Sequence, residues 1–98
     1  MNELRITPEF ADWIDTLRDL RARAQIQVRI QRLVDGNPGD VRPVGCGVSE
    51  LRVHCGPGYR VYYTERRGVF LLLLCGGDKS TQDSDIKQAL RMARELEG

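Results

Sequence analysis

The chain has 98 residues, of which 41% are hydrophobic and 30% charged, which is the size and composition of one globular domain and not of a disordered tail. The formal net charge is only +1, so no overall positive field indicates a nucleic-acid partner. Thirteen of the 15 basic residues are arginines, which suit bidentate phosphate contacts, although a GC-rich codon bias would give the same excess and is the explanation that we favour.

The cysteines argue against two kinds of cross-link. Cys46, Cys55 and Cys75 are odd in number and show no C-x-x-C spacing, which disfavours both a disulfide framework and a zinc site.

The N-terminus has no apolar signal core, and the longest apolar run, residues 69–75, is far shorter than the ~20 residues of a membrane span. We therefore expect a cytoplasmic protein with reduced thiols, no metal, no cofactor and no membrane contact.

The first third of the chain predicts a short strand followed by helices. Residues 3–6 form a candidate strand, and Thr7-Pro8-Glu9 is typical of a helix start, with a capping hydroxyl, a proline at the first position and an early carboxylate. An apolar stripe with 3.6-residue spacing predicts the first helix: Phe10, Trp13, Ile14 and Leu17. A second stripe predicts a helix over residues 19–34: Leu20, Ile26, Ile30, Leu33 and Val34. The pattern leaves open whether a break near residues 18–20 separates the two helices.

Two alternating runs on either side of Gly56-Pro57-Gly58 predict a β-hairpin, preceded by a short strand over residues 41–45. With a three-residue loop, Val53 would face Val61, His54 would face Arg60, and Arg52 would face Tyr62. One face of this hairpin is apolar. The opposite face carries the polar side chains: Glu50, Arg52, His54, Arg60, Tyr62 and Thr64. A slip of one residue would pair Arg60 with Cys55 and mix the two faces, so the hydrophobic pattern selects this register over the slipped one.

The last third predicts one strand and one helix. Residues 69–75 are apolar on both faces, which is typical of a central strand with layers on either side. Residues 66–68 would form the preceding turn, and residues 76–79 would leave the sheet. Ser80 or Thr81 can cap a final helix, whose inward positions share a 3.6-residue period: Ile86, Ala89, Leu90, Ala93 and Leu96. The predicted fold class is therefore α+β, a small sandwich of helices and a sheet.

Four spaced motifs resemble a known family. They are Gly36-Asn37-Pro38-Gly39-Asp40, residues 47–52, residues 56–63 and residues 76–82, the last followed by Asp85-Ile86 and Ala89. Together they resemble the HigB-type, phage Gp49-like toxins, also called addiction module killer proteins, of the RelE/ParE superfamily of type II toxin–antitoxin systems. The likeness covers nearly the whole chain. Residues 1–98 would therefore form a single RelE/HigB-like toxin domain.

The resemblance implies a fold, an activity and a partner. The fold would be microbial-RNase-like, with two N-terminal helices packed on an antiparallel sheet and a C-terminal helix. The protein would be a cytoplasmic mRNA interferase, an RNA-binding endoribonuclease that cuts mRNA in the ribosomal A site without a metal or cofactor. A cognate antitoxin, commonly a small HigA-like helix-turn-helix protein, would silence it.

The resemblance also suggests site residues. Arg60 matches the arginine that RelE-like toxins place on the scissile phosphate, and Arg52 and Lys79 fall where relatives have basic catalytic residues. Glu50 matches a position that is a carboxylate in some relatives and basic in others. The tyrosine or histidine that relatives often carry near the C-terminus has no counterpart in the final helix.

Metal-free RNA cleavage needs a base for the 2′-OH, cations for the phosphate and an acid for the leaving oxygen. Arg52 and Arg60 can present planar forks to phosphate oxygens, and His54, whose pKa two nearby arginines should lower, is a candidate base alongside Glu50. Tyr62 is a candidate RNA-binding residue that could stack on a base or donate a proton. Three of the residues also have simpler explanations: His54 as a solvated surface residue, Arg52 as a partner of Glu50 or of a helix carboxylate, and Lys79 as a partner of Asp78 or Asp83.

Two other functions remain open at this stage. The protein could be a ParE-like inhibitor of DNA gyrase that cuts no RNA, although the basic and aromatic sheet face disfavours this. It could also be an inactive toxin that serves only as an antitoxin-binding module or co-repressor.

Overall fold

The computed structural model describes residues 3–66 and 70–97, and over these residues the chain forms an α+β fold. The helices are α1 (Pro8–Asp15), α2 (Leu20–Val34) and α3 (Gln82–Glu97), and a 3-10 turn (Lys79–Thr81) leads into α3. The strands are β1 (Glu3–Ile6), β2 (Val41–Gly45), β3 (Val48–Val53), β4 (Tyr59–Arg66) and β5 (Phe70–Asp78). Residues 67–69, which include most of the predicted turn and the predicted start of the long apolar strand, lie outside the described ranges.

The helix starts follow the predicted capping chemistry. Thr7 caps α1 by accepting a hydrogen bond from the backbone N–H of Phe10 at 3.0 Å, and Pro8 occupies the first helical position. The break that the sequence left open is real, because α1 ends at Asp15 and Asp19 caps a new helix. The phase of α2 puts Ala22 and Ile26 inside, and Leu20 lies about 200° around the helix from Ala22. The expectation that Leu20 points inward is therefore wrong, and it is 70% exposed.

The sheet is mixed, with the strand order β1-β5-β4-β3-β2. Strands β2, β3, β4 and β5 pair in antiparallel fashion, while β1 runs parallel to β5, with Glu3 opposite Phe70. The antiparallel sheet that the resemblance implied is present from β2 to β5, and the parallel strand β1 at this edge was not expected. The physical reason is the connection, since parallel neighbours require a crossover and α1 and α2 begin one immediately after β1.

The hairpin of β3 and β4 is displaced by two residues from the predicted register. Val53 pairs with Tyr59 and Arg52 pairs with Arg60, so the loop spans five residues, 54–58, and not three. A turn closes it early, because the Gly58 N–H donates to the Cys55 carbonyl at 3.0 Å and Gly58 has a φ of +82°. Side chains alternate with a period of two, so the residues within β3 and β4 keep their predicted faces while every cross-strand partner changes. His54, predicted to face Arg60, lies in the loop instead.

Helices cover both faces of the sheet. On one face α1 and α2 pack on a cluster that includes Leu51, Val61 and Leu73; on the other α3 packs on Tyr62, Leu74 and Val48 through Ala89, Met92 and Ala93. The expected central strand with layers on either side is confirmed as β5, which lies between β1 and β4. At the end of α3, Leu96 is 53% exposed, contrary to its predicted inward position.

Strand β5 continues past the point where it was expected to leave the sheet. Gly76 and Gly77 both pair with β4, and a Cβ atom would lie 2.3 Å from the Trp13 ring at Gly76 and 1.8 Å from the Asp85 carboxylate at Gly77. The two glycines therefore let α1 and α3 approach the strand closely. The strand reaches Asp78, whose side chain caps the 3-10 turn in place of Ser80 or Thr81. Lys79 therefore emerges beside the start of β4.

Candidate functional site

An open groove of ≈ 540 Å³ lies where the β3–β4 loop meets the 3-10 turn. Four of the six predicted site residues line it: Arg52, His54, Arg60 and Lys79. The remaining lining residues are Val53 and those of the loop and the first position of β4, residues 55–59. We call this the basic groove. The other two predicted site residues, Glu50 and Tyr62, lie beneath it.

Arg52 and Arg60 stand directly opposite each other on neighbouring strands. Like charges in that arrangement repel, and the Glu50 carboxylate offsets the repulsion. The Arg52 Nε donates to Glu50 Oε1 at 2.9 Å, while the Arg60 Nε lies 3.7 Å from Glu50 Oε2. Arg60 also donates from a terminal nitrogen to the Gly58 carbonyl at 2.7 Å, which fixes its side chain against the loop.

Glu50 is completely buried, and three groups donate to its two oxygens. In addition to Arg52, the Tyr62 hydroxyl donates to Oε2 at 3.1 Å and the Gln82 side-chain amide donates to the same oxygen at 2.9 Å. Burial alone would raise the pKa of Glu50, but these hydrogen bonds outweigh it and hold the pKa below its ordinary value. Such a carboxylate stays ionised and is a weak base without access to the groove, so the expectation that Glu50 takes the proton is corrected.

Tyr62 is also fully buried, within the cluster under α3. Burial, followed by the neighbouring Glu50 charge, raises the pKa of its hydroxyl far above the usual range. No face of the ring is open to a nucleotide. The expectation that Tyr62 stacks on RNA or gives up a proton is therefore wrong in this fold, because α3 covers the part of the sheet where the sequence pattern suggested an open surface.

His54 lies in the loop after β3 with 71% of its side chain exposed. Its Nε2 lies 2.5 Å from Asp40 Oδ2, and this hydrogen bond is the main cause that lowers the pKa of Asp40. Arg29, from α2, ties together the two segments that carry this pair. It donates to the Pro38 carbonyl at 2.9 Å and to the Arg52 carbonyl at 2.6 Å.

Lys79 is exposed at the start of the 3-10 turn. In residues 3–66 and 70–97 no carboxylate forms an ion pair with it, because the Asp78 side chain accepts from Ser80 at 2.8 Å and caps the turn. The alternative in which Lys79 pairs with Asp78 or Asp83 is thus not what the structure shows. Its ammonium group is open to a ligand in the basic groove.

Sequence reasoning did not identify Asp40, Arg29 or Gln82 as site residues. A signal for Gln82 existed, since it lies four residues before Ile86 and seven before Ala89 and so occupies an inward position of α3 with a polar side chain. Asp40 and Arg29 gave no comparable signal, because each reaches the groove only through contacts distant in sequence.

Two further observations concern metal ligands and membrane spans. Nowhere in the described ranges do three or more His, Cys, Asp or Glu side chains cluster as ligands for a metal ion. The helices α1, α2 and α3 all lack the combination of length and apolar character that crossing a membrane requires.

Fold and site together define a small α+β protein with a mixed five-stranded sheet and a groove of arginines, a lysine and a histidine at one end. A protein of Haemophilus influenzae (strain Rd), described only as uncharacterized, is 52% identical over 94 residues, which is 96% of this chain and 95% of that protein. The chain belongs to the same family as this relative. No protein-family model matches it.

A solved structure shares the fold. It is the solution structure of the conserved hypothetical protein HP0894 from Helicobacter pylori, which superposes with a TM-score of 0.51. The alignment covers 82% of this chain and 97% of the other at 20% sequence identity. At that identity the similarity concerns the fold alone.

Proposed function

We propose that the protein is the toxin of a type II toxin–antitoxin system and acts as a ribosome-dependent, metal-independent mRNA endonuclease. The observation that carries the proposal is the basic groove, where Arg52 of β3, Arg60 of β4, Lys79 of the 3-10 turn and His54 of the loop converge. Three cations around one groove suit a phosphate group, whose charge they would neutralise as it increases in the transition state.

The two arginines have matching roles in this mechanism. Arg52 uses only its Nε for Glu50, so its two terminal nitrogens are left for the non-bridging oxygens of the scissile phosphate. Arg60 uses one terminal nitrogen for the Gly58 carbonyl and keeps the other for the phosphate. Lys79, at the start of the 3-10 turn, adds a third positive charge to the lining of the groove.

His54 is the candidate general base. It would take the proton from the 2′-OH, whose oxygen then bonds to phosphorus while the bond to the 5′-oxygen breaks, leaving a cyclic phosphate and a 5′-hydroxyl. Asp40 orients the imidazole by its hydrogen bond and stabilises the imidazolium that forms. The protonated His54 or Lys79 would return a proton to the 5′-oxygen.

The proposed partners follow from the resemblance to HigB-type toxins. They are mRNA on the ribosome and a cognate HigA-like, helix-turn-helix antitoxin, and the proposed location is the cytoplasm.

Induced expression followed by primer extension on cellular mRNA tests the proposal. Wild-type protein should stop growth and produce cuts that disappear when translation is blocked. Arg60→Ala should reduce cleavage by about 10²–10³-fold, the usual loss for one preorganised charge donor. Arg94→Ala, which removes an exposed arginine of α3, is the matched control and should change cleavage less than about twofold.

Three outcomes would contradict the proposal or its site. If Arg60→Ala still cut mRNA as the wild type does, the site would be wrong. If wild-type protein induced DNA damage without RNA cuts, a ParE-like gyrase inhibitor would replace the endonuclease, and no toxicity at all would indicate a module that only binds its antitoxin. Arg60→Lys keeps the positive charge but lacks the planar fork of arginine, so it separates these two contributions. Circular dichroism of each variant shows whether a loss of cleavage is caused by unfolding.

A further inference from the structure

The floor of the basic groove is built from three separate elements that meet at one carboxylate. Glu50 of β3 is fully buried, and it accepts hydrogen bonds from Arg52 on its own strand, Tyr62 on β4 and Gln82 at the first position of α3. Buried carboxylates are costly unless they are paired and hydrogen-bonded, and here each oxygen accepts at least one hydrogen bond.

The bonding pattern leaves the arginines suited to a ligand. A fork-to-fork pair would use the terminal nitrogens of Arg52, but Glu50 takes only Nε, and no further hydrogen bond from this guanidinium occurs in the described part of the chain. The Nε of Arg60 is buried without a hydrogen-bond partner, 3.7 Å from Glu50. Its orientation therefore depends on the Glu50 charge and on the Gly58 carbonyl.

Gln82 connects this network to the third cation. It follows directly after the 3-10 turn that begins with Lys79, and its amide donates to Glu50 Oε2 at 2.9 Å. The hydrogen bond thus ties the start of α3, and the turn before it, to the carboxylate that holds the arginine pair.

We propose that Glu50 and Gln82 are positioning residues that fix the spacing of Arg52, Arg60 and Lys79 for an oxyanion, with neither residue touching the ligand. Glu50 locks the Arg52 guanidinium and offsets the repulsion between the facing arginines. Gln82 holds the same carboxylate against α3. The inference relies on the proposed function only in taking the ligand to be an RNA phosphate.

Gln82→Met tests the inference, because methionine has a similar length and no donor. The first probe is inorganic phosphate, followed through the Arg52 and Arg60 Nε–Hε signals in NMR spectra. In the wild-type protein the Arg52 signal should exchange slowly with water and both signals should shift on phosphate addition. In Gln82→Met the Arg52 signal should exchange at least tenfold faster and the shifts should shrink by half or more.

The second probe is a single-stranded RNA in which every 2′-OH is methylated, so that it binds without being cut. Gln82→Met should bind it within threefold of the wild type yet cut translated mRNA in a cell-free translation extract at least tenfold more slowly, because total charge is kept and only spacing is lost. Asp83→Asn, which changes an exposed neighbour of Gln82, is the control and should leave both measurements unchanged. Glu50→Gln, if folded, should show an even larger difference between RNA binding, which is retained, and cleavage, which is reduced.

The outcomes separate this inference from the proposed function. If Gln82→Met leaves the Arg52 exchange rate and the phosphate shifts unchanged, or if its cleavage falls only in proportion to its thermal stability, the positioning role is wrong. If the wild-type protein cuts no mRNA in the translation extract, the proposed function fails, while the NMR measurements with phosphate still decide whether Glu50 and Gln82 position the arginines.

Discussion

The two faces of the sheet use neighbouring residues of the same strands for different purposes. Toward α1 and α2, Leu51 and Val61 are completely buried in an apolar cluster. Toward α3, the next side chains along, Glu50 and Tyr62, are equally buried but form a hydrogen-bonded network beneath two arginines. Burial alone therefore does not distinguish packing from site, and the difference lies in whether the buried group needs partners.

The helices also cover the two faces of the sheet to different extents, and this explains where the basic groove opens. On the first face, α2 packs against β3, and its buried residues reach from Ala22 to Leu33. On the second face, α3 contributes Ala89, Met92 and Ala93 to a cluster centred on β5 and β4. The hairpin end of β3 and β4 stays uncovered there, so the charged side chains next to the network reach solvent.

The largest expected effect concerns the apolar face. Ile26 of α2 is fully buried, so Ile26→Ala should lower the free energy of unfolding by about 2–5 kcal/mol through lost transfer energy and the cavity left behind. Val28→Ala, on the exposed side of the same helix, should cost less than about 1 kcal/mol. Urea denaturation measures both, and equal losses would mean that α2 is not packed as described.

A smaller effect is expected where α1 touches the sheet. In Gly76→Ala the new methyl group would lie 2.3 Å from the Trp13 ring, so we expect a loss of about 1–3 kcal/mol from overpacking. Trp13→Leu should relieve part of this clash, so that the double variant loses less than the sum of the two single losses. Additive losses in urea denaturation would show that Gly76 and Trp13 do not contact.

The α3 face can be examined through pH. The folded-state pKa of Glu50 lies below its ordinary value of 4.5, so the stability that its ionisation contributes is fully present above pH 4.5 and is lost as the pH falls through the lower, folded value. Glu50→Gln should therefore flatten the fall in unfolding free energy below pH 4.5, leaving the share of Asp40 and Asp78, whose pKa values are also lowered. An unchanged slope would mean that folding does not lower the pKa of Glu50.

The smallest effect concerns reactivity and leaves stability unchanged. Burial raises the pKa of Cys75, in the cluster under α3, to about 12, while Cys46 is exposed in the β2–β3 turn. An alkylating reagent at pH 8 should label Cys46 within minutes and Cys75 only on unfolding, since the thiolate is the reactive form. Mass spectrometry of timed samples gives the order, and early labelling of Cys75 would contradict its burial.

Local periodicity was sufficient for much of the fold. The 3.6-residue stripes predicted α1, α2 and α3, and the two-residue alternation predicted which side chains of β3 and β4 share a face. It could not predict their partners, because a displacement of two residues preserves both faces. Arg52 therefore stands opposite Arg60 and not opposite Tyr62, a result that required the turn geometry of Gly58.

The site was predicted only in part, because a local pattern does not show which distant elements come together. Four basic or imidazole side chains do line one groove, as their positions on the hairpin and after β5 suggested. The burial of Glu50 and Tyr62 depends on α3, which lies more than 15 residues further along the chain and whose path over the sheet no strand pattern encodes. The partnership of His54 with Asp40 likewise joins residues that only the assembled sheet brings together.

The parallel pairing of β1 with β5 has a consequence for synthesis. Strand β1 is synthesised before its partner β5, which begins at Phe70. At a synthesis rate of roughly 5–20 residues per second, β1 therefore lacks its partner for about 3–13 s. Until then the sheet is incomplete at the edge that Leu4 and Ile6 occupy. Nascent chains arrested before residue 70 should leave residues 3–6 open to protease, whereas chains released at full length should protect them.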